Sequence, residues 1–323
     1  MKLEGKRVVV TGGAGFIGSH LVDKLTDCGV EKITVIDNFF LGKTSNLESA
    51  LSNEIPITIY REDASDYHAM ENIFAREGAD VVFDLAVKPL PYSFVNPEGA
   101  YMTSVNIASV LCNLLRKGVY ESLIHCSSSE AYGSAERVSM DEEHPLNPTT
   151  PYSAGKAAAD LLVLSYYRTF GLDVRVLRPF NNYGPRQNEN MYAAIIPITI
   201  KRIMAGEQPF IEWDGGQTRD FLYVSDTADS FIRMCDCNAT KGRVVNVASG
   251  RETSMNEVIQ TISEVMGYKG EIIHKPKRQG DLRRHCGNVQ LAEKLFDFKP
   301  KISLREGLEK TIEWYESMAK CQK

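Results

Sequence analysis

A glycine-rich turn set between an apolar strand and a helix, Thr11-Gly12-Gly13-Ala14-Gly15-Phe16-Ile17-Gly18, constrains this chain more than any other feature. Arg7 to Thr11 reads as a buried strand and Ile17 to Cys28 as a helix. Glycines at 12, 15 and 18 let the backbone turn tightly, approach a pyrophosphate and pack helix on strand, while Phe16 and Ile17 open a helix whose N-terminal N–H groups suit an anion. The second strand, Lys32 to Asp37, ends on an acid nineteen residues after Gly18. A carboxylate there, with Asn38 beside it, accepts hydrogen bonds from an adenosine ribose and repels a 2′-phosphate. The pair of features points to a dinucleotide, NAD rather than NADP. Gly42-Lys43-Thr44 as the end of a triphosphate-binding loop fails, because that motif needs glycine where Asp37 stands.

The rest of the first half repeats strand and helix. Ile57 to Arg61, Asp80 to Leu85, Ser122 to Cys126 and Val174 to Arg178 read as buried strands, with helices at Tyr67 to Arg76, Val105 to Arg116 and Ser153 to Phe170. Such alternation predicts an α/β fold, a Rossmann-type doubly wound parallel sheet, over residues 1–180. From Asn181 onward Pro and Gly are more frequent and the alternation loosens. Ile195 to Met204, Val244 to Val247, Met255 to Met266 and Glu271 to His274 predict a smaller lobe over 181–323, interleaved with the first and closed by an amphipathic helix at Leu304 to Met318.

Composition excludes several partners. The net charge of -5 is spread along the chain without a basic block, which argues against nucleic acid. The apolar run behind the charged start is only Val8 to Val10, too short for a secretory core or a membrane span. Seven cysteines without repeated paired spacing suit a reducing compartment, and a cytoplasmic protein is expected. Cys235 and Cys237 come closest to a ligand pair, yet no HExxH or HxxxH partner accompanies them, so no metal is expected.

Chemistry concentrates in Tyr152-Ser153-Ala154-Gly155-Lys156 at the head of a long helix. Spacing i, i+4 puts phenol and ammonium on one face. A phenol is a poor base near neutrality, but an adjacent ammonium and a cationic nicotinamide favour the phenolate, so Tyr152 can take or return a hydroxyl proton. Tyr-x-x-x-Lys alone is common on helix surfaces; behind a dinucleotide fold it reads as catalytic. Ser127-Ser128-Ser129-Glu130 follows the fifth strand at the same sheet edge, where a serine hydroxyl can steady a substrate alcohol, although serines after a strand are often only turn formers. Asp63, followed by Ala64, lies after the third strand and suits an adenine amine; Ser65 or Asp66 suits the cap of the next helix better.

With these residues in view, the chain resembles an extended short-chain dehydrogenase/reductase of the nucleotide-sugar epimerase and dehydratase family over nearly its whole length. The likeness rests on Gly12/Gly15/Gly18, Asp37, Asp63, Leu85-Ala86, Asn106, Ser128 before Ala131-Tyr132-Gly133, Tyr152/Lys156, Arg178-Pro179-Phe180-Asn181-Asn182-Tyr183-Gly184-Pro185-Arg186 and Gln217-Thr218-Arg219-Asp220-Phe221. It implies that Leu85, Ala86, Asn106 and Pro179 join the NAD site. By the same resemblance Asn181 and Arg219 hold a substrate diphosphate, for which arginine has the charge and fork geometry, and Lys88, Arg186 and Arg283 complete the substrate set. Helices Val105 to Arg116 and Ser153 to Phe170 resemble those that pair in family homodimers. Two departures stand out: Asp84 replaces a histidine often found before Leu-Ala, and Ser109 stands where a glycine usually follows Asn106.

The resemblance implies a shared first step, removal of hydrogen from C4 of the sugar, followed by epimerisation, 4,6-dehydration or decarboxylation. Once C4 is a ketone the C5 proton is acidic, and Glu130 beside Ser128 is suited to remove it. Dehydratases and decarboxylases carry Thr-Asp-Glu or Thr-Ser-Glu where this chain has Ser128-Ser129-Glu130, and Ser129 replaces the aspartic acid that protonates the leaving hydroxyl in dTDP-glucose dehydratases. The expectation is a 4,6-dehydratase acting on UDP-N-acetylglucosamine or a related nucleotide hexose. A 4-epimerase is the alternative; a decarboxylase would need Lys88 or Arg186 on a C6 carboxylate, and an NAD-sensing binding protein would not need the intact Ser128/Tyr152/Lys156 set.

Overall fold

The computed structural model describes residues 1–277 and 282–321. Six parallel strands come from residues 1–180: β1 (Arg7–Thr11), β2 (Lys32–Ile36), β3 (Ile57–Tyr60), β4 (Val81–Asp84), β5 (Ser122–Cys126) and β6 (Asp173–Pro179). A seventh, Val244–Val247, joins the β6 edge, giving the order Val244–Val247, β6, β5, β4, β1, β2, β3. The helices α1 (Phe16–Thr26), the short α2 (Glu48–Leu51), α3 (Tyr67–Glu77), α4 (Pro97–Arg116) and α5 (Pro151–Phe170) connect the strands. Because β1 has β2 on one side and β4 on the other, the winding reverses at β1, and a crevice opens at the carboxyl ends there.

These strands read as near-continuous apolar runs because both faces are covered. On one face Val8, Val10, Ile33 and Phe83 pack with Leu21 and Leu25 of α1 and with Phe231 and Met234 of helix Val224–Asp236. On the other, Val9, Val82, Leu123 and Val176 pack with Phe74 of α3, Leu111 of α4 and Val163 of α5. The second lobe gathers helices Ile195–Met204, Met255–Val265 and Leu304–Cys321 around Tyr183, Ile211, Phe221 and Tyr223. Chain beyond residue 180 therefore contributes both to that lobe and to the sheet layer.

Helix starts follow local capping. Asp66 caps α3 by accepting from Ala69 N, and Thr150 caps α5 in a reciprocal pair with Ser153, with Pro151 at the first helical position. Helix α4 begins eight residues earlier than the expected Val105. Asn96 accepts from Gly99 N and Pro97 follows it, a readable start signal, but exposed Tyr101 and Met102 interrupt the apolar stripe there. A Cβ on Gly155 would lie 2.8 Å from the Tyr101 carbonyl oxygen, so glycine permits the close contact of α4 and α5.

Among the described residues no helix is long and apolar enough to cross a membrane. Cys235 and Cys237 direct their sulfurs to the carbonyls of Met1 and Leu295.

Candidate active site

A cavity of about 710 Å³ opens at the carboxyl ends of the strands and extends into the second lobe. The β1 turn contributes Gly12, Gly15, Phe16, Ile17 and Gly18; the ends of β2 and β3 add Asp37, Asn38, Asp63 and Ala64. Leu85, Ala86, Lys88, Ser128, Ser129, Glu130, Tyr152, Lys156 and Pro179 line its middle, and Asn181, Arg186, Gln217 and Arg219 come from the segments that build the lobe.

The turn is shaped for close approach. Gly12 has φ +67°, and a Cβ there would lie 2.7 Å from Ala86 N; one on Gly18 would lie 2.2 Å from the Gly12 carbonyl oxygen. Any side chain at either position would collide with backbone of the turn or of the strand end beside it, so only glycine permits this tight approach. Asp37 closes it, accepting from Ala14 N at 3.0 Å and Phe39 N at 2.8 Å; burial pushes its carboxyl up and those N–H groups oppose the shift. Asp63 is buried enough to be pushed up too, but donors from Ser65 and Asn38 outweigh burial and hold it below the usual carboxylate range. An acidic pair at this end suits the hydroxyls of an adenosine ribose and an adenine amine rather than a further phosphate.

Tyr152 and Lys156 stand one turn apart at the head of α5. Lys156 is buried, and its Nζ donates to the Cys126 carbonyl at 2.8 Å, which fixes the ammonium at the end of β5. Ser128 hydrogen-bonds Tyr152 and caps the 3₁₀ turn Ser129–Tyr132 by accepting from Glu130 N at 3.3 Å. Burial pushes the Tyr152 phenol well up; the Ser128 bond opposes this, and the charges of Glu130 and Asp160 reinforce it. In the protein alone Tyr152 is thus held as the phenol. In the lobe, Asn181 Oδ1 and Gln217 Oε1 are buried acceptors without a partner, while Arg219 Nη1 donates to the carbonyls of Thr218 and Leu282.

Four of the expected residues have surroundings that residue type alone does not indicate. Asn106 is exposed on α4, because the helix phase directs Thr103 and Ile107, not Asn106, into the cavity. Arg283 lies outside the lining, bound to Asp214 at 2.8 Å and stacked over Trp213. Arg186 lines the cavity, but its guanidinium pairs with Asp23 of α1 at 2.6 Å. Lys88 lies among Asp63 and Asp37, whose charges oppose the lowering of its pKa by burial, and its Nζ is 3.4 Å from the Phe40 ring centre; it faces the acidic end rather than the lobe.

Sequence reasoning missed three groups. Phe40, Tyr92 and Tyr192, from separate segments, meet with ring centres 5.3 to 6.3 Å apart at the edge of the cavity, tied further by the Lys43–Glu189 ion pair at 3.0 Å. His285 donates Nε2–H to the Ser129 carbonyl at 3.2 Å, bracing the Ser128–Glu130 turn from the distant C-terminal part; burial lowers its pKa and keeps it neutral. His125 and Asp160 face each other in the interior, with His125 Nε2 3.6 Å from Asp160 Oδ1. No local motif announces any of these, because each depends on contacts between remote segments.

The profile described as GDP-mannose 4,6 dehydratase matches residues 9–311. A putative UDP-glucose 4-epimerase of Methanocaldococcus jannaschii is 32% identical over 96% of this chain and 98% of its own. UDP-glucuronic acid decarboxylase 1 of Xenopus tropicalis is 32% identical over 96% of this chain and 72% of its own. Among solved structures, the UDP-glucose 4-epimerase of Thermotoga maritima with UDP-glucose superposes with a TM-score of 0.91 at 32% identity, covering 97% of this chain and 99% of that one. The dTDP-glucose 4,6-dehydratase of Bacillus anthracis with NAD superposes with a TM-score of 0.87 at 29% identity, covering 98% of each. The fold agrees with these likenesses, and the chain belongs to the GDP-mannose 4,6 dehydratase family, among the NAD-dependent nucleotide-sugar epimerases and dehydratases of the extended short-chain dehydrogenase/reductase type.

Proposed function

We propose that the protein is an NAD-dependent 4,6-dehydratase of a nucleotide hexose, with UDP-N-acetylglucosamine as the first substrate to try. The observation that carries this reading is Glu130, a carboxylate lining the cavity on the turn that also presents Ser128 to Tyr152. The glycine cradle at 12 and 18, Asp37 and Asp63 would hold the dinucleotide, and NAD supplies the hydride acceptor and a positive charge. Tyr152 takes the C4 hydroxyl proton while Ser128 holds the oxygen and Lys156 keeps a positive charge beside the helix head. Glu130 then removes the C5 proton, made acidic by the new ketone, the C6 hydroxyl leaves as water, and the hydride taken from C4 would return to C6 with a proton to C5, so that the net change is the loss of one water. Asn181 and Arg219 bind the diphosphate and fix which carbon lies over the reacting groups.

A 4-epimerase is the second reading, favoured by the superposition on the Thermotoga enzyme and by Ser129, which supplies no acid for a leaving hydroxyl. Decarboxylation is less well supported, since Lys88 faces Asp37 and Asp63 and Arg186 is engaged by Asp23. Mass spectrometry after incubation with a panel of nucleotide sugars separates the outcomes. Loss of one water is expected; an unchanged mass with a new isomer would replace this reading by epimerisation, and loss of carbon dioxide from a uronic acid would replace it by decarboxylation.

We further infer a homodimer formed through α4 and α5. These helices lie side by side and present the exposed side chains of Tyr101, Met102 and Leu161, apolar surface that a second copy could cover. Leu161→Lys is expected to convert a dimer to a monomer in light scattering; a wild-type protein that is monomeric at micromolar concentration ends this idea.

A further inference from the structure

Three loops remote in sequence close on one another at the edge of the cavity. Residues 38–42 leave the end of β2, the 3₁₀ turn Leu90–Phe94 follows β4, and residues 188–194 lead into helix Ile195–Met204 of the second lobe. Phe40 and Tyr192 both line the cavity, and their rings stack with centres 6.3 Å apart and 20° between their planes. Tyr92 meets each of them edge-on, 5.3 Å from Phe40 and 5.7 Å from Tyr192. Lys88 sets its Nζ 3.4 Å from the Phe40 ring centre and 5.9 Å from that of Tyr92. Beside the rings, Glu189 pairs with Lys43 at 3.0 Å and with Lys201 of the lobe helix at 3.6 Å. Phe40 is 41% exposed, so this bridge from sheet layer to lobe stands at the cavity mouth. The backbone presenting the rings is strained: Phe39 has φ +57° and Tyr192 φ +69°, left-handed values that a non-glycine residue keeps only where its surroundings hold it. What holds it here is a set of aromatic, cation–π and surface ion-pair contacts, each weak alone. Phe40, Tyr92 and Tyr192 belong to none of the buried apolar cores, so the bridge can open without breaking them.

We propose that this bridge is a latch on the dinucleotide: Phe40, Tyr92 and Tyr192 part for NAD to enter or leave and stay closed over it through the catalytic cycle. Phe40 is tied to the end assigned to adenosine, since its N–H is donated to Asn38 Oδ1 at 3.0 Å, next to Asp37. Tyr192 belongs to the chain that enters the lobe, so opening the stacked pair separates the two walls of the cavity at that end. The proposed chemistry gives such a latch a use. The hydride removed from C4 is later returned to the sugar, and a cofactor lost between the two events ends the cycle unfinished. A closure at the adenosine end holds the cofactor while sugars exchange at the other end, where Asn181 and Arg219 line the cavity. The inference rests on that placement of the dinucleotide and on a hydride that is borrowed and returned, which dehydration and epimerisation share.

Isotopically labelled NAD tests the latch with no sugar present, so the outcome is independent of which product the enzyme makes. Uptake by the NAD-free protein and release into excess unlabelled NAD are timed for the wild type, Phe40→Ala, Tyr192→Ala and the double variant. Each single variant should speed both uptake and release by roughly three- to tenfold, the effect of losing one aromatic pair. The double variant should fall short of the product of the two, because the stacked pair is lost only once. Faster release with unchanged uptake would mean that the rings merely touch the cofactor, and it overturns the proposal; unchanged rates in both directions, or a full product in the double variant, overturn it equally. Should Tyr192→Ala fail to fold, Glu189→Gln takes its place. Glu189 lies outside the cavity lining, so its effect on NAD is carried by the bridge. That variant should speed both rates by about two- to fivefold, and added salt should hasten exchange in the wild type more than in the variant. Rates equal to the wild type in Glu189→Gln and Phe40→Ala would overturn the latch, and a wild type that takes up no NAD would defeat the cofactor placement and the latch with it.

Discussion

Tyr152→Phe is expected to remove hydride transfer while leaving the fold and cofactor binding intact. The ring stays on the first turn of α5, whose start is fixed by Thr150, Pro151 and Ser153 rather than by the phenol oxygen. What is lost is the oxygen that hydrogen-bonds Ser128 and receives the C4 proton. Lys156 is held by the Cys126 carbonyl, and Glu130 is reserved for a different carbon, so no neighbour replaces it. The single-turnover rate should fall by about 10²–10⁴-fold, the usual range for removal of a proton-transfer group. Absorbance of the reduced cofactor reports it directly. Near-native rates in this variant would mean that another group takes the proton and that the Tyr152 assignment is wrong.

Glu130→Gln separates the first half-reaction from the second. The amide preserves the shape of the turn, because the cap uses the Glu130 backbone N–H and Ser128 Oγ, not the carboxylate. Cofactor reduction at C4 should then proceed and the 4-keto sugar accumulate, with dehydration slowed by about 10²–10⁴-fold because an amide cannot accept the C5 proton. Removing the charge also withdraws one of the influences that hold the Tyr152 phenol up, so the first step should be no slower than in the wild type. Quenched-flow mass spectrometry follows both species, and in heavy water the wild type should introduce deuterium at C5 whereas the variant should not. Dehydration at the wild-type rate, or no exchange at C5 in the wild type, would show that Glu130 is not the base.

Much of the sheet was legible because its strands are apolar on both faces and end in recognisable turns; β1 and β5 coincide with the runs read from sequence. The glycine turn was legible for a related reason: positive φ at Gly12 and the contact of Gly18 with Gly12 are demands that residue type alone records. Less was visible wherever the outcome depends on side-chain direction. Asn106 is one residue from Ile107, yet a rotation of about 100° around the helix decides which of them meets the cavity. Lys88 and Arg186 are cations whose partners, Asp63 and Asp23, come from other segments, and charge alone does not say which anion a flexible side chain will choose. Asp84 looked like a loss of a histidine until the strand register set His125 directly beside it.

The seam between helix Val224–Asp236 and α1 bears on how the chain acquires its structure. Leu21, Val22 and Leu25, just behind the glycine turn, share one core with Phe231 and Met234, some two hundred residues later in the chain. Growing from its N-terminus on a ribosome, the polypeptide would display that greasy stripe of α1 until the later helix had left the exit tunnel. Contacts so distant in sequence slow folding and prolong exposure of apolar surface. The nucleotide cradle is thus not a detachable module that matures early and waits for a substrate lobe; its rear wall comes from a helix made some two hundred residues after it.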